Sequence, residues 1–539
     1  MSSGHESPSE GAAPAERAGA APGEWPILLA LGLVALGLRA LRWAQTPAMF
    51  NDGPVFIEIS RAMRAGDWTT ALGYDQHPLY SLLTLLVQTL AGDWETAGAA
   101  VSIAAGVAAV LFLYAWLRDA FDRQVAWIGA LLLAVHPYAL TYSADVQSDG
   151  LYLAAFVGAL ALLWKALDRR SSALALAAGL ASGLAYLVRP EGAGVVLIGL
   201  VLVLVESGRR RWPLRSAGRW AVALGLGTAL AMAPYVTLLS VRHGTLTLSQ
   251  KKSLQSFIGI DWFRNWRRFD DPESQAGWLG VPPDVASVVP TPNGSAGASD
   301  PSALSELVQN ALSSARYEIV LLILLGLWAL RGPPGLRGRF VLLAFSLYFL
   351  ILYALISQAG YVSRRHTLPL SVLAFGYAAT GVPLLGGAIL RAARAILRSR
   401  RPVGAREAVA AGLVVVLALG LAKGMRPHRQ NAVAERRAAE WLREHGTSGA
   451  VAAGKHRVAF YADAPFVNPW RAPRDAALLT YLQRHSVRYL VVDEDENRTL
   501  LERTSGEPSG LVLLHKEEAK GHAAFVYELV PAGPSQILE

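Results

Sequence analysis

The chain has 539 residues, 53% of them hydrophobic and 17% charged, with a net charge of +9 and no cysteine. Soluble domains average roughly 45–50% apolar and 25% charged residues, so a soluble multidomain enzyme is excluded as the main reading. The lack of cysteine removes disulfides, iron–sulfur clusters, thiolate zinc sites and a cysteine nucleophile together.

A mean hydropathy of +0.32, with apolar runs along most of the length, marks a polytopic membrane protein. Arg and Lys gather in the short connections between those runs, which is what insertion asks of the cytoplasmic side, and no nucleic-acid surface is needed to explain them.

In chain order, residues 1–23 are rich in Ser, Gly, Ala, Pro and Glu without apolar periodicity and read as a disordered cytoplasmic tail. The membrane domain is expected over 24–424, with eleven spans at Trp25–Trp43, Ala97–Leu117, Val125–Thr141, Leu151–Leu167, Ala173–Val188, Gly192–Val205, Trp220–Leu239, Ile319–Leu330, Phe340–Ile356, Leu368–Ile389 and Val409–Leu421. With the tail inside, the inner loops hold nineteen positive residues, while the short outer loops hold only Arg189, Arg364 and Arg365. Two long outer loops, 45–95 and 242–318, and residues 425–539 then lie on the extracytoplasmic face.

The terminal segment reads as a small α/β domain. Helical patterns are expected at Ala432–His445 and Asp475–His485, with strand-like runs at Val451–Ala453, Arg457–Tyr461, Val487–Val492, Leu511–Leu514 and Ala524–Val530.

The first outer loop holds most of the chemistry. Asp52 precedes Gly53-Pro54 and a helix pattern with Phe56, Ile59 and Met63 on one face, so it either caps that helix or is a reactive carboxylate. Glu58 lies in the same stretch. Further on, Tyr74-Asp75-Gln76-His77-Pro78-Leu79-Tyr80 leads into the short apolar run Ser81–Leu90, which suits an interfacial position, and His77 is either a core residue or a ligand.

Asp145 and Asp149 lie at an outer membrane boundary, where a carboxylate is either solvated or functional. Arg189-Pro190-Glu191 either shapes a turn or carries charge for a purpose. Arg364 and Arg365 stand where positive charge is disfavoured, and either pair with neighbouring carboxylates or headgroups, or bind a phosphate. The second outer loop begins Ser249-Gln250-Lys251-Lys252 and continues with mixed aromatic and basic residues, Phe257 to Phe269, suited to headgroup level.

Together these motifs resemble the polyprenyl-phosphate-sugar-dependent glycosyltransferases of the GT-C fold, including protein O-mannosyltransferase-like and aminoarabinose-transferase-like enzymes. The run from Asp52 to Trp68 is similar to the family's first loop, whose Asp is the proposed base. His77-Pro78-Leu79-Tyr80 resembles the following Pro-Leu-Tyr segment, with His where some members carry Lys. Ser148-Asp149-Gly150-Leu151-Tyr152 is similar to the acidic opening of the fourth span, and Arg189-Pro190-Glu191-Gly192 to a turn between the fifth and sixth spans. The likeness covers most of the chain, including the terminal α/β domain. Gln76-His77-Pro78 departs from the Lys-Pro-Pro of aminoarabinose transferases, which puts that substrate in doubt.

The expected fold is therefore an all-α polytopic GT-C-like membrane domain of about eleven helices with a small extracytoplasmic α/β domain. The resemblance implies a transferase that moves a hexose or pentose, with inversion, from a polyprenyl-phosphate donor to a hydroxyl acceptor. Asp52 is the expected base. Arg364, Arg365, His77, Lys251 and Lys252 are the expected ligands of the donor phosphate, and Glu58, Asp149, Arg189 and Glu191 are further candidates.

No metal ligand set and no cofactor is assigned, and a divalent ion stays open. The expected partners are the lipid-linked sugar, an acceptor lipid, protein or glycan, and membrane lipids, without nucleic acid. Abundant Arg, Ala and Gly are associated with GC-rich bacteria, so the expected location is a bacterial inner membrane. A transporter or lipid flippase is the rival class, although the chain lacks an evident internal repeat. An inactive relative is the third reading.

Overall fold

The computed structural model describes residues 23–209, 212–251, 301–331, 335–359, 362–399, 401–446, 448–469, 478–503 and 510–530. The N-terminal tail, Lys252 and the aromatic–basic run Phe257 to Phe269 lie outside the described residues.

Among the described residues up to 424, apolar runs become helix, because a chain in lipid must satisfy its backbone groups internally. Among the described residues, seven helices are long and apolar enough to cross a membrane: Trp25–Ala44, Trp94–Ala120, Asp149–Asp168, Pro190–Gly208, Leu214–His243, Leu336–Ser357 and Ala405–Gly424. Three helix pairs qualify jointly but are sharply bent, by 61° in Arg123–Val135 with Pro137–Ser143, 88° in Ala303–Ala315 with Tyr317–Ala329, and 70° in Arg364–Leu373 with Phe375–Ile396.

That makes ten segments against the eleven expected. The remaining one, Ser172–Tyr186, has 15 residues and is about 22 Å long, short of the roughly 30 Å hydrocarbon core. It packs tightly all the same: a Cβ at Gly179 would run into the Leu224 carbonyl, so the small residue lets the backbones meet.

Two of the bends have a local cause. Pro137 follows His136, whose extended ψ of 121° ends the first half-helix. At the second bend Arg316 takes a left-handed φ of 68° between the two helices. The helix Pro301–Ala315 is a correction, since that stretch was expected as part of the second outer loop. Its amphipathic pattern lies within a run that is polar overall, and hydropathy alone missed it.

Large apolar side chains on the outer faces remain exposed, among them Leu29 at 64%, Leu204 and Val222 at 69%, and Val414 at 66%. Stripes of that extent suit lipid and not water.

The terminal domain holds, among the described residues, a five-stranded sheet of order β2-β1-β3-β5-β4, with β1 Ala450–Ala453, β2 Phe466–Val467, β3 Val487–Asp493, β4 Leu511–Ala519 and β5 His522–Leu529. β1 runs parallel to both β2 and β3, while β3–β5 and β5–β4 are antiparallel. The β4–β5 hairpin turns on Lys520 and Gly521, with φ of 54° and 76°, the double positive φ of a two-residue turn matched to strand twist.

Arg457–Tyr461, expected as a strand, is helix: His456–Tyr461. Parallel β1 and β2 need a crossover between them, and this turn of helix supplies it while burying Val458, Ala459 and Tyr461. A further helix, Glu494–Arg503, follows β3 and was not anticipated.

The helix Gly53–Arg64 joins the two parts. Pro54 sits in its first turn, as expected, and Phe56 and Ile57 enter a core shared with Val451, Ala459, Tyr461 and the helix Ala432–Glu444. Val55, Ile59 and Met63 pack instead on Ala71. Ser60 Oγ donates to the Ser81 carbonyl at 2.9 Å and Ser81 Oγ to the Phe56 carbonyl at 3.0 Å, tying this helix to the short apolar helix Leu79–Ala91.

Candidate active site

The start of the helix Gly53–Arg64 is held from below. Asp145, 1% exposed, accepts hydrogen bonds from the backbone N–H of Phe50 at 3.1 Å and of Val146 at 2.8 Å, and pairs with Arg429 at 2.5 Å. Arg429 in turn donates to the Ala48 carbonyl at 2.9 Å. One buried carboxylate thereby fixes the chain just before Asp52 and anchors it to the linker that follows the last membrane helix.

Asp52 makes no side-chain cap, which corrects the capping expectation. Its Oδ2 accepts from Arg365 Nη1 at 2.5 Å, in a pair whose side chains are 35% and 20% exposed. The arginine wins because it offers an ion pair at a half-exposed position, where a cap would gain only one neutral donor. The Arg365 guanidinium lies 5.3 Å from the centre of the Phe50 ring. Two residues singled out separately, 313 positions apart, thus meet in space.

Arg364, one residue earlier on the helix Arg364–Leu373, points elsewhere. It donates to the Tyr138 hydroxyl at 2.8 Å.

The loop between residues 65 and 78 closes another side. Asp75 is half-buried, and its Oδ1 is shielded from solvent without a hydrogen-bond partner. Burial pushes the Asp75 carboxyl up to about 7, with Lys251 opposing that rise and Asp52 adding to it. Asp75, Asp52 and Lys251 therefore lie within one another's field.

His77 is 1% exposed. Its Nδ1 sits 2.6 Å from the Tyr186 carbonyl, so this nitrogen donates, and Nε2, 2.9 Å from Ser249 Oγ, accepts. Burial, with the Lys251 charge adding, pushes the imidazole down to about 3. As placed, His77 is a neutral pin for the segment that presents Lys251.

Asp149 and Arg189 form a buried pair at 2.7 Å, with side chains 5% and 9% exposed. Glu191, in the 3-10 turn Pro190–Ala193, is 8% exposed, and its Oε2 has no hydrogen-bond partner. The charges of Arg189, Arg365 and Lys251 all act on His366, which lies on the same helix as Arg365.

Glu58 does not join them. It binds His456 Nε2 at 2.8 Å and accepts from the Tyr74 hydroxyl at 3.2 Å, bridging the two parts of the molecule.

The site thus gathers Asp52, Arg365, Asp75 and Lys251, with His77 behind them. Asp75, Tyr138 and Arg429 were not anticipated. Only Asp75 carried a local signal, as a carboxylate within the Tyr74–Tyr80 motif. Among the described residues no group of three or more His, Asp or Glu side chains could hold a metal ion.

Residues 75–237 match the family described as dolichyl-phosphate-mannose-protein mannosyltransferase. That stretch includes Asp75, His77, Asp149, Arg189 and Glu191 but not Asp52, Arg364 or Arg365. In three dimensions the chain is similar to ArnT from Cupriavidus metallidurans bound to undecaprenyl phosphate, with 18% identity and a TM-score of 0.59 over 94% of this chain and 98% of that one. It is also similar to the oligosaccharyltransferase AglB from Archaeoglobus fulgidus in complex with an inhibitory peptide and a dolichol-phosphate, with 15% identity and a TM-score of 0.57 over 93% of this chain and 74% of the other. No curated protein matches the sequence. The fold expected from the resemblance is the one found: a GT-C membrane domain with a small terminal sheet.

Proposed function

We propose that this chain, a multi-pass membrane protein of the GT-C fold, is a glycosyltransferase that moves a sugar from a polyprenyl-phosphate donor to a hydroxyl acceptor on the face carrying the C-terminal sheet, the extracytoplasmic face. The observation that carries this reading is the half-exposed Asp52 held by Arg365, with Lys251 and Asp52 both acting on the nearby Asp75, at the junction of membrane helices and terminal domain. A reachable carboxylate next to clustered cations at headgroup level suits a neutral hydroxyl acceptor and an anionic leaving group. The family match over residues 75–237 and the likeness to proteins bound to undecaprenyl phosphate and dolichol-phosphate support the same reading.

In this mechanism Asp52 takes the proton of the acceptor hydroxyl as its oxygen attacks the anomeric carbon. The bond from that carbon to the phosphate oxygen breaks, and polyprenyl phosphate leaves with the electron pair. A single displacement of this kind inverts the anomeric configuration. Arg364, Arg365 and Lys251 supply positive field for the charge that grows on the phosphate. Arg365 also orients Asp52, and His77 contributes as the neutral pin of the Lys251 segment. The buried Asp149–Arg189 pair shapes the wall behind His366.

The test is direct. Purified full-length protein is incubated with a panel of polyprenyl-phosphate sugars and hydroxyl acceptors, and polyprenyl phosphate release is followed. Release that depends on acceptor and is lost in Asp52→Asn is the expected result. A protein that binds donors yet releases no polyprenyl phosphate with any of them overturns the reading and favours transport.

A further inference from the structure

Three helices, Trp25–Ala44, Arg123–Val135 and Ala405–Gly424, run in the same direction and are drawn together at their far ends. There Arg42 donates to the Arg426 carbonyl at 2.6 Å, and a Cβ at Gly420 would stand 3.2 Å from the Val135 carbonyl. Toward their starts a groove opens between them, on the boundary opposite the terminal sheet. Its volume is about 590 Å³, within the roughly 300–1,000 Å³ of ligand pockets, so it is more than a packing defect.

The lining changes character with depth. Arg123 and Arg406 stand in the first turns of their helices and form the rim, while Ile27, Trp127, Val409 and Leu413 line the groove below. Arg406, Val409 and Leu413 follow the spacing of one helix face, and Trp127 lies one turn beyond Arg123. Water in such a groove would wet an apolar wall. The neighbouring outward faces, with Leu29 64% and Val414 66% exposed, are those that suit lipid, so the groove is continuous with the bilayer.

The rim also has donors to spare. Arg123 gives one hydrogen bond, to the Gly23 carbonyl at 2.7 Å, and Arg406 has no hydrogen bond or ion pair among the described residues. The carboxylates at the three helix starts are engaged elsewhere: Glu24 pairs with Arg118 at 2.7 Å, Asp122 caps its own helix on the Val125 N–H at 2.9 Å, and Glu407 pairs with Arg394 at 2.7 Å. Two guanidinium groups above an apolar groove at headgroup level complement a lipid that carries a net negative charge.

We propose that this groove binds one anionic glycerophospholipid of the leaflet opposite the terminal sheet. Arg123 and Arg406 take its phosphate, and one acyl chain lies along Ile27, Trp127, Val409 and Leu413. A zwitterionic lipid is disfavoured because its headgroup brings a further cation to a rim that already holds two. The bound lipid wedges the first and last of these membrane helices apart at one end while protein contacts join them at the other. This site is remote from Asp52 and goes beyond the transfer reaction, on which it does not depend.

Native mass spectrometry of the delipidated full-length protein, titrated with phosphatidylglycerol or with phosphatidylcholine of the same acyl chains, tests this. One phosphatidylglycerol should be retained in clear preference to phosphatidylcholine. Arg123→Gln and Arg406→Gln should each weaken it about fivefold, as befits one basic residue at an anionic headgroup. Arg406→Lys should keep most of the affinity. Ala410, exposed on the groove wall, supplies the complementary variant: Ala410→Trp fills the groove while both arginines remain, and should expel the lipid. Glycerol 3-phosphate, a headgroup without chains, should not compete.

Thermal unfolding midpoints establish that each variant is folded. Equal retention of the two lipids, or wild-type binding of phosphatidylglycerol in the folded Arg406→Gln and Ala410→Trp variants, overturns the proposal. A dimer that forms without lipid and is lost in Ala410→Trp also overturns it, since a second copy of the chain would then fill the groove. Sugar transfer is read separately on the same preparation, so failure of one reading is distinguishable from failure of the other.

Discussion

Asp52 and Arg365 illustrate how one contact can be tested from its two ends. Asp52→Asn removes the proton acceptor but leaves the helix start intact, since no side-chain cap is present to lose. Sugar transfer should fall by roughly 10²–10⁴-fold while the variant stays folded, because a partly exposed ion pair contributes at most about 1 kcal/mol. Single-turnover transfer rates beside thermal unfolding midpoints check this, and near-normal transfer would remove Asp52 as the base. Arg365→Gln and Arg364→Gln should separate cleanly. The first is expected to lower kcat with little change in donor affinity, and the second to raise the donor KM. Equal effects of both on KM would mean that both guanidinium groups hold the phosphate.

At the scale of elements, the loop 65–78 carries a half-buried carboxyl and a buried imidazole whose titrations oppose one another. The Asp75 carboxyl rises from 3.8 to about 7 on burial. Its contribution to stability is fully present below the unfolded value and is lost as pH rises through 7. Asp75→Asn mimics the neutral acid, so it should stabilise the protein increasingly from pH 4 to pH 8, read as the difference in unfolding midpoint. A midpoint difference that does not change with pH would show that Asp75 is ionised throughout.

His77 falls from 6.5 to about 3, so its neutral form stabilises fully above pH 6.5, and that contribution fades as pH drops toward 3. The destabilisation caused by His77→Gln should therefore shrink on acidification from pH 7 to pH 4. The helix Gly53–Arg64 yields a different expectation. Glu58 faces His456 and Tyr74, so Glu58→Gln should leave transfer within a few-fold of wild type while raising hydrogen exchange in the helix His456–Tyr461. Loss of transfer comparable to Asp52→Asn would bring Glu58 back into the chemistry.

For the whole molecule, the charge asymmetry and the position of the terminal sheet make one claim about orientation. Reporter fusions at Arg215 and at Gly510 should lie on opposite sides of the membrane, the first cytoplasmic. Both on one side would remove the extracytoplasmic donor geometry along with the topology. The exposed apolar stripes and the bent helix pairs belong to the same scale: the bends bring the half-helix starts at Pro137 and Arg364 together on one boundary, where Tyr138 and Arg364 touch.

Much was legible in the sequence because membrane insertion is governed by local quantities. Run length and hydropathy located most of the membrane helices, though not the amphipathic Pro301–Ala315, flanking charge supplied an expected orientation, and strand-like, β-rich runs found β1, β3, β4 and β5. Asp52, Arg364 and Arg365 stood out because their charges lie where lipid-adjacent chemistry is expensive.

Partnership was not legible, since it depends on residues brought together from distant parts of the chain. Arg365 reaches Asp52 across 313 positions, and His456 reaches Glu58 across 398. Arg457–Tyr461 has strand-like composition but became helix because two parallel strands needed a crossover at that point. Sequence by itself determined the solvent, the segment order and the charged residues worth asking about. Only the tertiary structure decided which charge faces which, because an ion pair is settled by the packing that holds both ends in place.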